Sequence, residues 1–201
     1  MITIFEGPDL IGKTTLAKNY ASALNCYYTF EPFGETKEQL ALRQMALTKD
    51  VDMLSREYML LANRCLGYAM ISKLIPDGIN IVTDRSYISG MVYANMEGMS
   101  FQEWNFLFQP LIDRFPRLFE TPPIVVLCSN KEMSDKIDIK DRYDGRPIFF
   151  HRLVYETFHK ALKFLGIKYI NFEISFNVSG IENCERLISL LQNDARDNGG
   201  L

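Results

Sequence analysis

The first 24 residues leave little freedom of fold. An apolar run, Ile2-Thr3-Ile4-Phe5, leads into Gly7-Pro8-Asp9-Leu10-Ile11-Gly12-Lys13-Thr14. From Thr15 to Leu24 the spacing predicts a helix with Leu16, Tyr20 and Leu24 on one face. Residues 7–14 match G-x-x-x-x-G-K-[ST] without a mismatch. Strand, glycine loop and helix N-terminus in that order build an anion site. Glycines let backbone N–H groups turn inward around phosphate oxygens. Lys13 would bring positive charge to the β- and γ-phosphates of a nucleoside triphosphate, and the Thr14 hydroxyl would ligate Mg²⁺. The expected ATP-side set is Gly7, Pro8, Asp9, Leu10, Ile11, Gly12, Lys13, Thr14 and Thr15.

Further strands are expected at 26–30, 79–83, 123–128 and 168–172, with helical stretches between them, one spanning 53–75. Ser100-Phe-Gln-Glu103 and Ser179-Gly-Ile-Glu182 have the form of capping boxes that open helices. Gly166 reads as a helix stop. Strands alternating with helices imply an α/β fold: a three-layer P-loop sandwich whose five-stranded, mostly parallel sheet carries helices on both faces. With 201 residues, the chain reads as a single domain without repeats or linkers. Ligands of such sheets bind beyond the carboxyl ends of the strands, which gathers the glycine loop with the residues after Phe30 and Thr83.

Asp84 would end an apolar strand, positioned to hold Mg²⁺, and Arg85 would aim its fork at phosphate. Glu31-Pro32 ends another strand, with Glu31 facing the crevice as a general base or an orienter of the acceptor. Residues 131–146 interleave five cations with four aspartates, which suits a short lid over ATP at about 134–147. Asn130-Lys131-Glu132-Met133 lacks the aspartate that guanine reading needs. His151 and His159 have no metal-ligand spacing. Phe101, Trp104, Phe106, Phe108, Phe115 and Phe119 read as core. The net charge of −3 gives no nucleic-acid footprint, and no apolar run reaches membrane-spanning length. Four dispersed cysteines read as reduced thiols, and a cytoplasmic location is expected.

Four ordered motifs over about residues 1–160 resemble the thymidylate kinase family. They are Phe5-Glu6-Gly7-Pro8-Asp9, Leu61-Ala62-Asn63-Arg64, Asp84-Arg85 through Ser89-Gly90 to Tyr93, and Asp141-Arg142-Tyr143-Asp144. The resemblance implies that Asp9 holds the deoxyribose 3′-hydroxyl, Arg64 hydrogen-bonds the base and Arg85 holds the acceptor phosphate. Tyr93 would stand where a ribose 2′-hydroxyl clashes, and Arg142 would lie against ATP. Phe33, Leu60, Ser89 and Gly90 complete the implied acceptor side. A homodimer is implied as well. The chain departs from the family at Leu60, where a phenylalanine often stacks on thymine. It also has no arginine beside Glu31-Pro32. Ser86 replaces an aromatic residue and makes the segment similar to deoxynucleoside kinases. An anionic monophosphate acceptor needs cations and no strong base, whereas a nucleoside 5′-hydroxyl needs a base. Arg64 and Arg85 favour phosphorylation of thymidine monophosphate by ATP. Glu31 keeps a nucleoside kinase open, and a P-loop switch that transfers nothing remains a third reading.

Overall fold

The computed structural model of the chain describes residues 1–48, 50–130 and 148–197. Five strands form one parallel sheet in the order β2-β3-β1-β4-β5. They are β1 (Ile2–Glu6), β2 (Tyr27–Phe30), β3 (Ile81–Asp84), β4 (Ile124–Ser129) and β5 (Tyr169–Glu173). Among the described residues, seven α-helices connect and flank them: α1 (Lys13–Ala23), α2 (Lys37–Ala46), α3 (Met53–Ile71), α4 (Tyr87–Met96), α5 (Phe101–Arg114), α6 (Ile148–Leu165) and α7 (Gly180–Asp197). The expected α/β architecture is therefore the observed one.

Alternation along the strands divides the core in two. Ile4, Ile81, Val125 and Leu127 point to a large cluster with residues of α3, α4, α5 and α6. Their neighbours Phe5, Val82, Val126 and Cys128 point to the opposite face, against Leu16, Ala17 and Tyr20 of α1 and Leu187 of α7. Successive side chains alternate faces, so a parallel strand covered on both sides must be apolar throughout. Burying each Ile, Leu, Val or Phe side chain among these contributes about 1.5–3 kcal/mol.

The caps act where the sequence puts them. Ser100 and Glu103 form the reciprocal box that opens α5. Ser179 Oγ accepts from Glu182 N at 3.1 Å before α7. Gly166 takes φ 66° and ends α6, a left-handed conformation in which a side chain is strained. Other boundaries move. The expected 53–75 helix stops at Ile71, because 72–78 turns back through Gly78 at φ 70°. The third strand accordingly starts at Ile81, not 79, and includes Asp84, which pairs in register with Phe5 and Phe30. Phe106, expected in the core, is 79% exposed on α5, while Trp104 and Phe108 are buried. Arg142 and the expected lid lie outside the described residues.

Candidate functional site

The glycine loop leaves β1 beneath the sheet's carboxyl edge. Gly7 has φ 137°, and a Cβ there would stand 2.4 Å from the Cys128 carbonyl oxygen, so only glycine lets the loop cross β4. Gly12, at φ 89°, precedes α1. Between them Ile11 is buried and anchors the loop, Pro8 is buried, and Leu10 stands exposed at φ 62°. Lys13 opens α1 but curls back, donating from Nζ to the Pro8 carbonyl at 2.9 Å. Burial and the Arg85 charge lower its pKa. Thr14 Oγ1 donates to Asp84 Oδ2, and Thr15 is exposed on the next position. Asp84 Oδ1 is buried with no hydrogen-bond partner among the described residues. A hydroxyl in contact with a carboxylate that keeps one oxygen in hand is a hard oxygen donor set that fits Mg²⁺.

Asp9 ties this loop to the opposite wall. Arg85 Nη2 pairs with Asp9 Oδ1, and Tyr93 OH donates to Oδ2 at 2.6 Å. Burial opposes the Asp9 charge, but Arg85 and Lys13 outweigh it and hold the carboxyl below its usual range. Arg85 sits at φ 72°, a strained conformation for a side chain of its size. That backbone lets its N–H reach the Phe5 carbonyl at 2.9 Å while Nη1 donates to Ser89 Oγ at 3.0 Å. The guanidinium also lies over the Tyr93 ring, 5.4 Å from its centre. Beneath, Glu6 is fully buried and accepts from Ser86 Oγ at 2.7 Å, Ser89 Oγ at 2.5 Å and Ser89 N at 3.3 Å. Burial pushes its carboxyl up to about 7, against the pull of these bonds and of Arg85.

The far end of the cavity is built on α3. Arg56, Leu60 and Arg64 recur at four-residue steps and so share a face. Arg64 Nε donates to Glu31 Oε2 at 2.7 Å, and Tyr68 OH donates to Glu31 Oε1 at 2.9 Å. Each Glu31 oxygen thus accepts one hydrogen bond, and the carboxylate lines the cavity as the sequence reading expects. Burial raises the Glu31 pKa and Arg64 opposes it. Arg64 Nη1 has no hydrogen-bond partner among the described residues, and the same is true of Arg56 Nη1. Arg56 Nη2 pairs with Glu97, which caps the end of α4. Trp104 Nε1 donates to Glu57 Oε2 at 3.0 Å. Gly90 is the near wall: a Cβ there would stand 2.6 Å from Arg64 Nη2.

One cavity of about 450 Å³ joins the two ends. Asp9, Thr14, Asp84, Arg85, Ser89, Gly90, Tyr93, Glu31, Leu60 and Arg64 all line it, as the sequence reading requires of one site. Phe33 does not. It is buried edge-on to Tyr68, and Gly67 has no Cβ because one would stand 2.2 Å from the Phe33 ring. Asn63 holds the Phe33 backbone from both sides, accepting from its N–H at 2.8 Å and donating to its carbonyl at 2.9 Å. Phe33 is therefore a packing residue that fixes the Glu31-Pro32 loop.

Arg43, Arg56 and Glu57 line the same cavity and were not foreseen. Arg43 comes from α2 and lies over the Phe30 ring, 5.2 Å from its centre. It brings a cation to the Glu31-Pro32 loop, where the sequence offers none nearby. Its signal was the Thr36-x-x-Gln39 capping box, which starts a helix that turns Arg43 inward. The Arg56 and Glu57 signal was the four-residue step back from Arg64 through Leu60.

A glycine loop and an acidic strand end, facing each other across a parallel sheet's carboxyl edge, define the class of nucleotide-binding α/β proteins. The thymidylate kinase family model matches residues 5–171, and the chain belongs to that family. It is 28% identical over 159 residues to a probable thymidylate kinase of Methanococcus vannielii, covering 78% of this chain and 75% of that one. It is 35% identical over 96 residues to a thymidylate kinase of Helicobacter acinonychis, across 47% of this chain and half of that one. A crystal structure of thymidylate kinase from Ehrlichia chaffeensis superposes with a TM-score of 0.67 at 21% identity, covering 96% of this chain and 98% of that one. At that identity, the superposition speaks for the fold. No helix among the described residues is long and apolar enough to cross a membrane.

Proposed function

We propose that the chain transfers the γ-phosphoryl group of ATP to thymidine monophosphate, giving the diphosphate and ADP. The observation that carries this reading is the single cavity shared by Thr14 and Asp84 at one end and by Arg85, Arg43 and Arg64 at the other. The glycine loop cradles the ATP phosphates through its backbone N–H groups. Lys13 leaves the Pro8 carbonyl for the phosphate oxygens. Thr14 and Asp84 would hold Mg²⁺, which neutralises charge on the triphosphate.

The acceptor phosphate is already an anion, so no side chain need take a proton from it. One of its oxygens forms the new bond to the γ-phosphorus while the bond from that phosphorus to the β-bridging oxygen breaks, and ADP leaves with the bond's electrons. Arg85 and Arg43 offset the repulsion between the two anions. Asp9 and Tyr93 bracket the sugar, with Asp9 on the 3′-hydroxyl. Leu60 underlies the base and Arg64 meets its carbonyl edge. Arg142 adds charge from the ATP side, a role carried over from the family. A homodimer in the cytoplasm is proposed on the same ground.

The nucleoside kinase alternative makes Glu31 the base, whereas its bonds from Arg64 and Tyr68 are those of an orienting carboxylate. Incubation with ATP, Mg²⁺ and either thymidine or its monophosphate tests the choice. ADP is expected with the monophosphate; turnover of thymidine alone would overturn the proposal.

A further inference from the structure

The base end of the cavity carries more charge than an apolar pyrimidine pocket requires. Arg56 is 3% exposed, Glu57 2% and Arg64 2%. Burying an ion is costly unless it is fully paired. Here the pairing is incomplete, in side chains that line the cavity. Arg56 Nη1 and Arg64 Nη1 have no hydrogen-bond partner among the described residues. Glu57 gives Oε2 to Trp104, but among the described residues Oε1 has only the Arg56 Nε at 3.7 Å, beyond a hydrogen bond. The Glu57 carboxyl lies within the fields of both guanidiniums: burial raises its pKa, and Arg64, Trp104 and Arg56 pull it back. All three side chains line the cavity, with Leu60 on the same helix face.

Two donors and one acceptor beside the cavity are therefore left without a full hydrogen-bond partner among the described residues. A uracil- or thymine-type base offers O4, N3–H and O2 in sequence along one edge: acceptor, donor, acceptor. Cytosine offers a donor at the first position and an acceptor at the second. Guanine offers an acceptor followed by two donors. We propose that Arg56 and Glu57 are specificity residues which, with Arg64, form a donor–acceptor–donor array reading the O4, N3–H and O2 edge of the acceptor base. Arg64 meets O4, Glu57 Oε1 accepts from N3–H, and Arg56 Nη1 donates to O2. The assignment rests on the monophosphate kinase reading and adds the residues that choose the base. It also accounts for Leu60: with the edge held by three polar groups, an aromatic stacking partner is not needed.

Each residue leaves a distinct signature. Glu57→Gln substitutes an amide that can donate to cytosine N3, so the ratio of kcat/KM for thymidine monophosphate over deoxycytidine monophosphate should fall about tenfold or more. Arg56→Met removes a donor to O2, which thymine and cytosine share. KM should rise for both with their ratio unchanged, while discrimination against deoxyguanosine monophosphate relaxes. A purely structural role, bridging α3 to α4 and α5, would lower thermal stability and move no ratio. The wild type should also use N3-methylated thymidine monophosphate at least about tenfold less well than the unmethylated form, a comparison that needs no folded variant. Unchanged ratios in Glu57→Gln, or equal use of the N3-methylated acceptor, would overturn the assignment. Failure of the wild type to phosphorylate any monophosphate would overturn the kinase reading instead.

Discussion

Replacing Glu31 with glutamine separates a positioning carboxylate from a catalytic base. At 2.7 Å the Glu31–Arg64 attraction is about 6 kcal/mol for an effective dielectric of about 20, before desolvation is subtracted. Glutamine keeps an oxygen for one of the two donors and loses the charge. A hydrogen bond to a charged group is worth about 1.5–3 kcal/mol against about 1 for a neutral pair, so the net loss should be about 1–2 kcal/mol. In a chain of this length that lowers Tm by about 2–8 °C. Alanine, which leaves Arg64 buried without its counter-charge, should cost about 3–5 kcal/mol. In steady-state assays with ATP and thymidine monophosphate, Glu31→Gln should raise acceptor KM about tenfold, through a less firmly held Arg64, and leave kcat within about threefold. A kcat loss beyond about a hundredfold at unchanged KM, with loss of the acidic limb of the pH profile, would refute this reasoning and make Glu31 the base.

Lys13→Ala should lower kcat at least about a hundredfold while circular dichroism and Tm stay near wild type, because the buried ammonium has one backbone acceptor to lose. Wild-type turnover in that variant would remove the glycine loop from the reaction. Glu6 sets a pH dependence of stability. Its folded pKa of about 7 lies above the ordinary 4.5, so its stabilising proton is fully held below about pH 4.5 and lost as pH rises through 7. The contribution is about 3 kcal/mol, and Glu6→Gln should flatten that slope in urea melts taken from pH 5 to 8. Equal slopes would show that Glu6 titrates normally. Gly90→Ala forces a Cβ to within 2.6 Å of Arg64 Nη2 and 2.9 Å of Trp104, and should raise acceptor KM about tenfold or more while ATP KM is unchanged. An unaltered acceptor KM would place Arg64 away from the acceptor.

The donor half was readable because it is local. Residues 7–14 adjoin in sequence, and the strand and helix on either side follow from spacing. Asp84 and Arg85 were readable for a related reason, since strand ends in a parallel sheet meet at one edge. What escaped was set by helix rotation. Arg43 lies on a short helix whose box at Thr36 and Gln39 is plain in the sequence, but which face of α2 turns inward depends on packing against α3. Glu31 followed the opposite course. Its place beside the crevice was legible, yet its role depends on Arg64 and Tyr68, 33 and 37 positions away, which no local pattern connects. Phe33, which the resemblance implies on the acceptor side, is buried and does not line the cavity. Asn63 turns it into the core.

Three cations of the cavity each pair with a carboxylate of their own. Arg85 holds Asp9, Arg64 holds Glu31, and Arg56 holds Glu97. Such pairs weaken the field an incoming anion meets, and in a site built only for affinity they would be a disadvantage. Their effect is to fix each guanidinium before the ligand arrives, so that little side-chain entropy remains to be lost on binding. Arg64 and Arg56 are each pinned through some of their nitrogens, and in each Nη1 has no hydrogen-bond partner among the described residues. Asp9 extends the same logic to the glycine loop, because the residue that anchors Arg85 belongs to the segment that would carry the triphosphate. A shift of that loop moves Asp9, and with it Arg85 and Tyr93. On the proposed reading, donor and acceptor would be registered to one another through a single carboxylate, in a reaction where an in-line approach between two anions tolerates little misplacement. Asp9→Asn should consequently impair kcat more than either KM. A variant in which only the acceptor KM rises would reduce Asp9 to a sugar contact.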